Sequence, residues 1–285
     1  KERCKGRVMK NLITYLLILL SVTGFVSAQH CDAQPSGVQP AFHAGERLTL
    51  KVSYRAKLIP NTEVATVVMS VADTTIDGRP YYCIYANART MPSWRWFYNL
   101  DDTYRSYVDT TTFRPVLATS RIRENGYRAW SRFEYDWEKG NCVSLKQRRQ
   151  DPVIERHIPI AGESYDGVSL FYDLRTIDPA ELTENEDRTI ALLLSDTVRY
   201  INYRYLGRER KKVRGVGTFR TLKFSCQLAT STGESFEDGS EFFIWISDDR
   251  NKIPIFFESP IRVGSVRAYI NRFDGLRFPL ESLEE

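Results

Sequence analysis

The chain has 285 residues, 42% hydrophobic and 13% aromatic, enough to bury a real core as one large β domain or two smaller ones. Its formal charge of +4 comes from 40 Lys and Arg against 36 Asp and Glu, but residues 1–28 hold five of those bases and one acid, so the remainder carries 35 of each sign. A neutral remainder gives no electrostatic case for nucleic acid, and no CxxC pair or Cys/His spacing suggests zinc.

Met9 reads as the start of translation, with residues 1–8 upstream of it. Residues 9–28 have the pattern of a signal peptide: Lys10, then the apolar run Leu12 to Leu20 broken only by Thr14, then the small-residue site Val26-Ser27-Ala28. That run is shorter than the roughly 20 residues a membrane span needs. Cys31 follows Gln29-His30 rather than the small residues that precede an acylated cysteine. The expectation is therefore an exported chain, periplasmic or secreted after cleavage near Ala28, and neither lipid-anchored nor membrane-spanning once processed. Residues 29–40 (QHCDAQPSGVQP) read as a flexible tether, and 41–285 as a single β-rich domain.

From there the text is mostly strands. In RLTLKVSY, Leu48, Leu50, Val52 and Tyr54 alternate with Arg47, Thr49, Lys51 and Ser53, the period-two pattern of a half-buried strand. VATVVMSVADTT turns at Asp77-Gly78 into PYYCIYANART, a hairpin signature. TYRSYVD turns at Asp109-Thr110 into FRPVLATSRIRE, Asn125-Gly126 leads into YRAWSRFEYDW, and Lys139-Gly140-Asn141 leads into CVSLKQRR. Later come TVRYINYRYLGRER, TFRTLKFSCQLAT, EFFIWIS, KIPIFFES and VGSVRAYINRF. Two stretches break the alternation. MPSWRWFYNL (91–100) reads as a helical turn or loop, and YDGVSLFYDLRTIDP (165–179) as a short helix capped by Asp166. Residues 180–190 read as an acidic surface connection. The fold class is mainly β, a large antiparallel curved sheet or open half-barrel with one or two short helices.

Chemistry-bearing patterns are few. Asp248-Asp249 sits between two strands and reads as the corner of a hairpin through side-chain bonds to its own backbone, not as an acid pair or a calcium loop. Gly162-Glu163-Ser164-Tyr165-Asp166 misses the nucleophile elbow because Asp stands in place of the second glycine. A triad of Ser164, His157 and Asp166 would need three sequence neighbours to converge. Gly215-Val216-Gly217 lacks the remaining glycine and the following helix of a dinucleotide site. Cys83, Cys142 and Cys226 lie in strand-like text, where buried free thiols are at least as well supported as bridges, and four cysteines with Cys31 allow three pairings. The run Trp94-Arg95-Trp96-Phe97-Tyr98 cannot all face one core. It either lines a mouth or lipid contact or caps one end of the barrel.

Four segments resemble the bacterial exported proteins grouped as DUF3108: AFHAGERLTLKVSYRAKLIPNTEVATVVMSV, DDTYRSYVDTTTFRPV, YDGVSLFYDLR and IWISDDRNKIPIFFESPIRVGSVRAYI, in that order over Ala41 to Phe273. That resemblance implies no activity and no catalytic residues. A lesser similarity, carried by Trp245, Asp248, Asp249 and Pro254, is to a hairpin of lipoprotein-carrier (LolA-like) half-barrels, which implies a curved sheet around helices with an apolar hollow. The expected function is non-catalytic binding or carriage of an apolar ligand such as a lipid or lipoprotein acyl chain. Trp94, Trp96, Phe97, Phe171 and Trp245 are the candidate ligand contacts, with no cofactor, no metal and no catalytic residue. The alternative is an envelope structural protein with a filled core whose partner is another envelope protein. A glycan hydrolase would need two carboxylates facing across a cleft.

Overall fold

The computed structural model describes residues 40–56, 59–160, 164–194, 197–228, 241–260 and 264–284. The expected leader, most of the tether, Cys31, Gly162 and Glu163 lie outside them. Among the described residues, sixteen strands form one sheet. In chain order they are β1 (Arg47–Ala56), β2 (Ile59–Ile76), β3 (Arg79–Thr90), β4 (Asp101–Asp109), β5 (Pro115–Glu124), β6 (Tyr127–Asp136), β7 (Asn141–Arg148), β8 (Ile154–Pro159), β9 (Ser164–Tyr165), β10 (Asp187–Leu194), β11 (Thr197–Val213), β12 (Gly217–Leu228), β13 (Glu241–Ser247), β14 (Pro254–Pro260), β15 (Ser265–Asp274) and β16 (Leu283–Glu284). The path runs β8-β7-β6-β5-β4-β3-β2-β1-β15-β14-β13-β12-β11-β10-β9, with β16 pairing β12. All described pairs are antiparallel except β9 with β10.

The period-two reading of β1 holds. Leu48, Leu50 and Val52 are buried, and the opposite face turns outward except for Ser53. Both dipeptide turns have the backbone that their residues favour, with Asp77 and Gly78 at φ 49° and 79° and Asn125 and Gly126 at φ 43° and 81°. Two successive positive-φ residues match the right-handed strand twist, which is why Asp-Gly and Asn-Gly sit there. The expected surface connection over 180–190 is shorter than read. A 3-10 turn covers Pro179–Glu181 and β10 already begins at Asp187, because Ile190 and Leu192 enter the core.

The helix α1 (Gly167–Asp173) is where the sequence places one, followed by a 3-10 turn at Leu174–Thr176. Asp166 caps it, accepting from the backbone N–H of Val168 (3.0 Å) and Ser169 (3.2 Å) and from the hydroxyls of Ser169 (2.7 Å) and of Ser106 on β4 (2.7 Å). Burial pushes the Asp166 carboxyl above the usual range despite these donors. Because α1 packs against β3 and β4 on one side and β9 and β10 on the other, the sheet must curl around it. The two ends of the sheet also approach: Phe133 and Tyr135 of β6, Cys142 of β7 and Ile158 of β8 share a small cluster with Leu193 of β10. Replacing Asp166 by alanine is expected to cost about 1–2 kcal/mol, the upper range for an N-cap, read as a lowered urea midpoint with unchanged slope.

The space around α1 is filled. Leu170, Phe171 and Tyr172 of α1 are fully buried against Leu48, Leu50, Val67, Ile84 and the inward residues of β10 to β15. Phe42, Tyr172 and Phe171 stack edge-on at 4.9 and 5.1 Å. Inside this core lies an ion pair, Arg175 with Glu46, whose side chains are 1% and 0% exposed. Cys83, Cys142 and Cys226 are free thiols, and burial pushes that of Cys142 up to about 12, which leaves it an unreactive packing group.

Candidate functional site

The loop between β3 and β4 is built to hold its shape. Pro92 opens a 3-10 turn over Pro92–Trp94, the position proline tolerates because its missing N–H has no partner there. The N–H groups of Phe97 and Tyr98 both donate to Trp94 O (3.0 and 3.1 Å), and the Trp96 indole N–H donates to Ser93 O (2.9 Å). Met91 N–H donates to Val64 O on β2 (2.9 Å). Asn125, in the β5–β6 turn, completes the anchor: its N–H donates to Asn99 O (2.8 Å) and its side-chain oxygen accepts from Asn99 N–H (2.7 Å). A loop fixed in this way presents Trp96 at 79% exposure and Phe97 at 40%, edge-to-face at 5.8 Å.

Beneath this rim lies an arrangement that the sequence reading did not single out. Tyr98 turns inward and donates its hydroxyl to Glu124 Oε2 (2.8 Å). Asp102 stands beside Glu124, fully buried, with Oδ1 accepting from Arg123 N–H (2.8 Å) and Oδ2 finding no conventional donor. Burial first, and then the Glu124 charge beside it, push the Asp102 carboxyl up to about 8, so at neutral pH it keeps a proton that it can share with Glu124. The Tyr98 and Tyr104 hydroxyls are likewise held neutral by burial near the two acids. The sequence signal was parity. Asp102 has the phase of Ser106 and Val108, and Glu124 that of Ala118. Cross-strand register alone brings the two together.

Along β4 the inward residues run from Asp102 at the rim through Tyr104 to Ser106, where the cap of α1 begins. On the rim side of that cap the inward positions of β5 to β7 include Ser120, Ile122, Ala129, Ser131 and Lys146. All but Ser131 are half-buried, as is Tyr104. Ser120 and Ser131 meet hydroxyl to hydroxyl at 2.7 Å. Ser120, Ala129 and Ser131 are small, and they lie on the inner face of the β5–β6 hairpin whose turn anchors the rim loop.

The five candidate contacts therefore separate. Trp94, Trp96 and Phe97 share the rim loop, whereas Phe171 is part of the packed core. Trp245 lies on the outward face of β13, opposite the core residues Ile244 and Ile246. There its indole N–H donates to the Glu209 carboxylate, the Lys211 ammonium sits 3.4 Å from the ring centroid and Phe256 packs edge-on at 5.3 Å. Burial lowers the Lys211 ammonium pKa.

Asp248 and Asp249 form the expected corner. Asp249 Oδ1 accepts from Ser247 Oγ (2.9 Å) and from the N–H of Asn251 (3.0 Å) and Lys252 (3.3 Å), Asp249 Oδ2 accepts from Ser282 N–H (3.1 Å), and Asp248 pairs with Arg208 (2.9 Å). No triad forms from Ser164, His157 and Asp166. His157 is exposed on β8 and faces Asn141 and Glu155 (both 3.3 Å), while Asp166 is committed to its cap. No group of three or more metal-ligating side chains occurs among the described residues.

No curated protein is similar to this chain. Among solved structures it is similar to a β-barrel-like protein of the domain of unknown function DUF1849 from Brucella abortus, with TM-score 0.54 and 11% identity over 80% of this chain and 96% of that one. At that identity the likeness is one of fold. Residues 49–271 match the family described as protein of unknown function DUF3108, and the chain belongs to that family.

Proposed function

We propose that this is an exported, non-catalytic binding protein for an apolar ligand such as a lipid acyl chain, taken up on the concave face of β4 to β7 beneath the Trp94–Phe97 rim. The observation that supports the reading is an anchored loop exposing two aromatic rings, together with inner positions Ser120, Ile122, Ala129 and Lys146 that are half-buried rather than fully packed. An acyl chain would gain about 25 cal/mol for each Å² it buries there, and the hydroxyls of Ser120, Ser131 and Tyr104 would meet a polar head. The carboxyl pair is unsuited to glycoside hydrolysis. Asp102 and Glu124 are both buried, whereas hydrolysis needs an open cleft with about 5–10 Å between the carboxyls for sugar and water.

The test is solvent extraction of the purified chain from Gln29 onward, with mass spectrometry of what co-purified. A stoichiometric lipid, absent from an unrelated control protein, is expected. Ala129→Trp, which fills the inner face between Ile122 and Arg148, should reduce it at least tenfold without lowering the melting temperature by more than a few degrees. A clean extract, together with no saturable binding of a fluorescent fatty acid, would defeat the reading. The filled core around Phe171 favours one second reading, an envelope interaction protein without cargo. The same clean extract would select it.

A further inference from the structure

The rim has a second property, independent of any cargo. Arg123 and Arg128 stand directly opposite each other across the β5–β6 hairpin, two residues either side of the Asn125-Gly126 turn. Like charges paired directly opposite each other in this way are destabilising. Arg121 lies on the same outward face of β5, Arg95 lies within the aromatic loop, Arg148 ends β7 and Arg149 follows it; these four, with Arg123 and Arg128, are exposed. Arg149 stacks on Tyr127 at 5.9 Å. None of these six arginines forms an ion pair among the described residues. Of the acids at this end, Asp101 is bonded to Arg89 (3.0 Å) and also feels the Arg123 charge, Glu63 is bonded to Lys51 (2.6 Å), and Asp102 and Glu124 are buried, which leaves Asp151 and Glu155 exposed. A chain with 35 charges of each sign beyond residue 28 thus concentrates positive charge around exposed Trp96 and Phe97.

We propose that this end of the barrel, the Met91–Leu100 loop with the β5–β6 turn, docks on an anionic lipid surface. Aromatic rings on a rigid loop partition into the headgroup boundary, and arginines around them meet lipid phosphates. The surface suits docking rather than spanning. No helix among the described residues is long and apolar enough to cross a bilayer. Strands cross only with an outward apolar band, and the outward faces of β4 to β6 carry Arg105, Arg121, Arg132 and Glu134. A lipid plane fits better than a protein partner because positive charge is in excess and distributed around the ring pair rather than arranged as a pocket.

The test is co-sedimentation of the chain from Gln29 onward with vesicles of phosphatidylcholine alone and of an equal mixture of phosphatidylcholine and phosphatidylglycerol. Binding to the anionic vesicles is expected, falling as salt rises. Trp96→Ala with Phe97→Ala should weaken it about tenfold, and Arg123→Glu with Arg128→Glu should abolish it. All four side chains are exposed, so melting temperatures should hold. Brominated lipid should quench fluorescence in the parent chain more than in Trp96→Ala. Equal binding to both vesicle types, or binding that neither double variant changes, would overturn the proposal. So would capture of a protein through this loop without any lipid binding. An empty solvent extract would leave it standing, since docking requires no cargo.

Discussion

Replacing Arg175 by methionine is expected to lower the unfolding free energy by about 3–5 kcal/mol, the cost of stranding one member of a buried ion pair. The guanidinium spends nearly all its donors in the core. Nη1 and Nη2 bond the two Glu46 oxygens (2.6 and 2.7 Å), Nη2 also donates to Ala41 O (3.1 Å), and Nε donates to Asn251 O (3.0 Å). Its charge lies 5.1 Å from the Tyr172 ring centroid and 5.6 Å from that of Phe42. One side chain therefore ties together the segment entering β1, the turn following α1 and the β13–β14 corner. Asn251 in turn holds the C-terminal segment, donating to Phe278 O and Pro279 O and accepting from Phe278 N–H. Without Arg175, Glu46 and two carbonyls keep their burial and lose their donors. Glu46→Gln should be costly for the converse reason. The double variant should cost well under the sum of the singles, with a coupling of about 2 kcal/mol or more in a urea-denaturation cycle. Additive losses would mean that the two charges do not act as a unit.

Replacing Asp102 by asparagine is expected to stabilise the protein, and to do so more as pH rises. An unfolded Asp ionises near 3.9, whereas in the fold Asp102 holds its proton to about 8. Between those values the folded chain binds a proton that the unfolded chain has released, so stability falls with rising pH across that window and levels off above it. Asparagine has no proton to lose. Its amide can donate to Glu124 as the protonated acid does, and its oxygen can still accept from Arg123 N–H. The advantage of the variant should be near zero below pH 4 and should reach on the order of 5 kcal/mol by pH 8, at about 1.36 kcal/mol for each unit between the two values, which corresponds to roughly 10–20 °C in melting temperature. Melting curves of both proteins from pH 4 to 9 measure it. Parallel curves would show that Asp102 ionises normally in the fold.

Much of the fold was legible along the chain because its signals are local. Alternation in β1, the Asp77-Gly78 and Asn125-Gly126 turns and the Asp166 cap each depend on a few adjacent residues, and each stands where the sequence put it. The strands that escaped notice are β8, β9, β10 and β16: β9 and β16 are two residues long, β8 is exposed at five of its six positions, and β10 ends in the unbroken apolar run IALLL, so no apolar alternation marks any of them. The aromatic run at 94–98 was legible as unusual, but its two destinations were not: Tyr98 turns inward to Glu124 while Trp96 stays in solvent.

What the sequence determined by itself is the class of the molecule, a β-rich chain with one capped helix and an acidic corner that only turns. Composition, periodicity and turn chemistry act over a few residues, and no distant contact was needed to read them. Only the tertiary structure decided which side chains meet. Glu46 and Arg175 lie 129 residues apart in the chain and Asp102 and Glu124 lie on neighbouring strands, so their pairing depends on sheet register and on the curl around α1. Packing of α1 holds Phe171 in the core, and strand phase turns Trp245 to the outward face of β13, because one residue of phase in a strand sends a side chain to the opposite face.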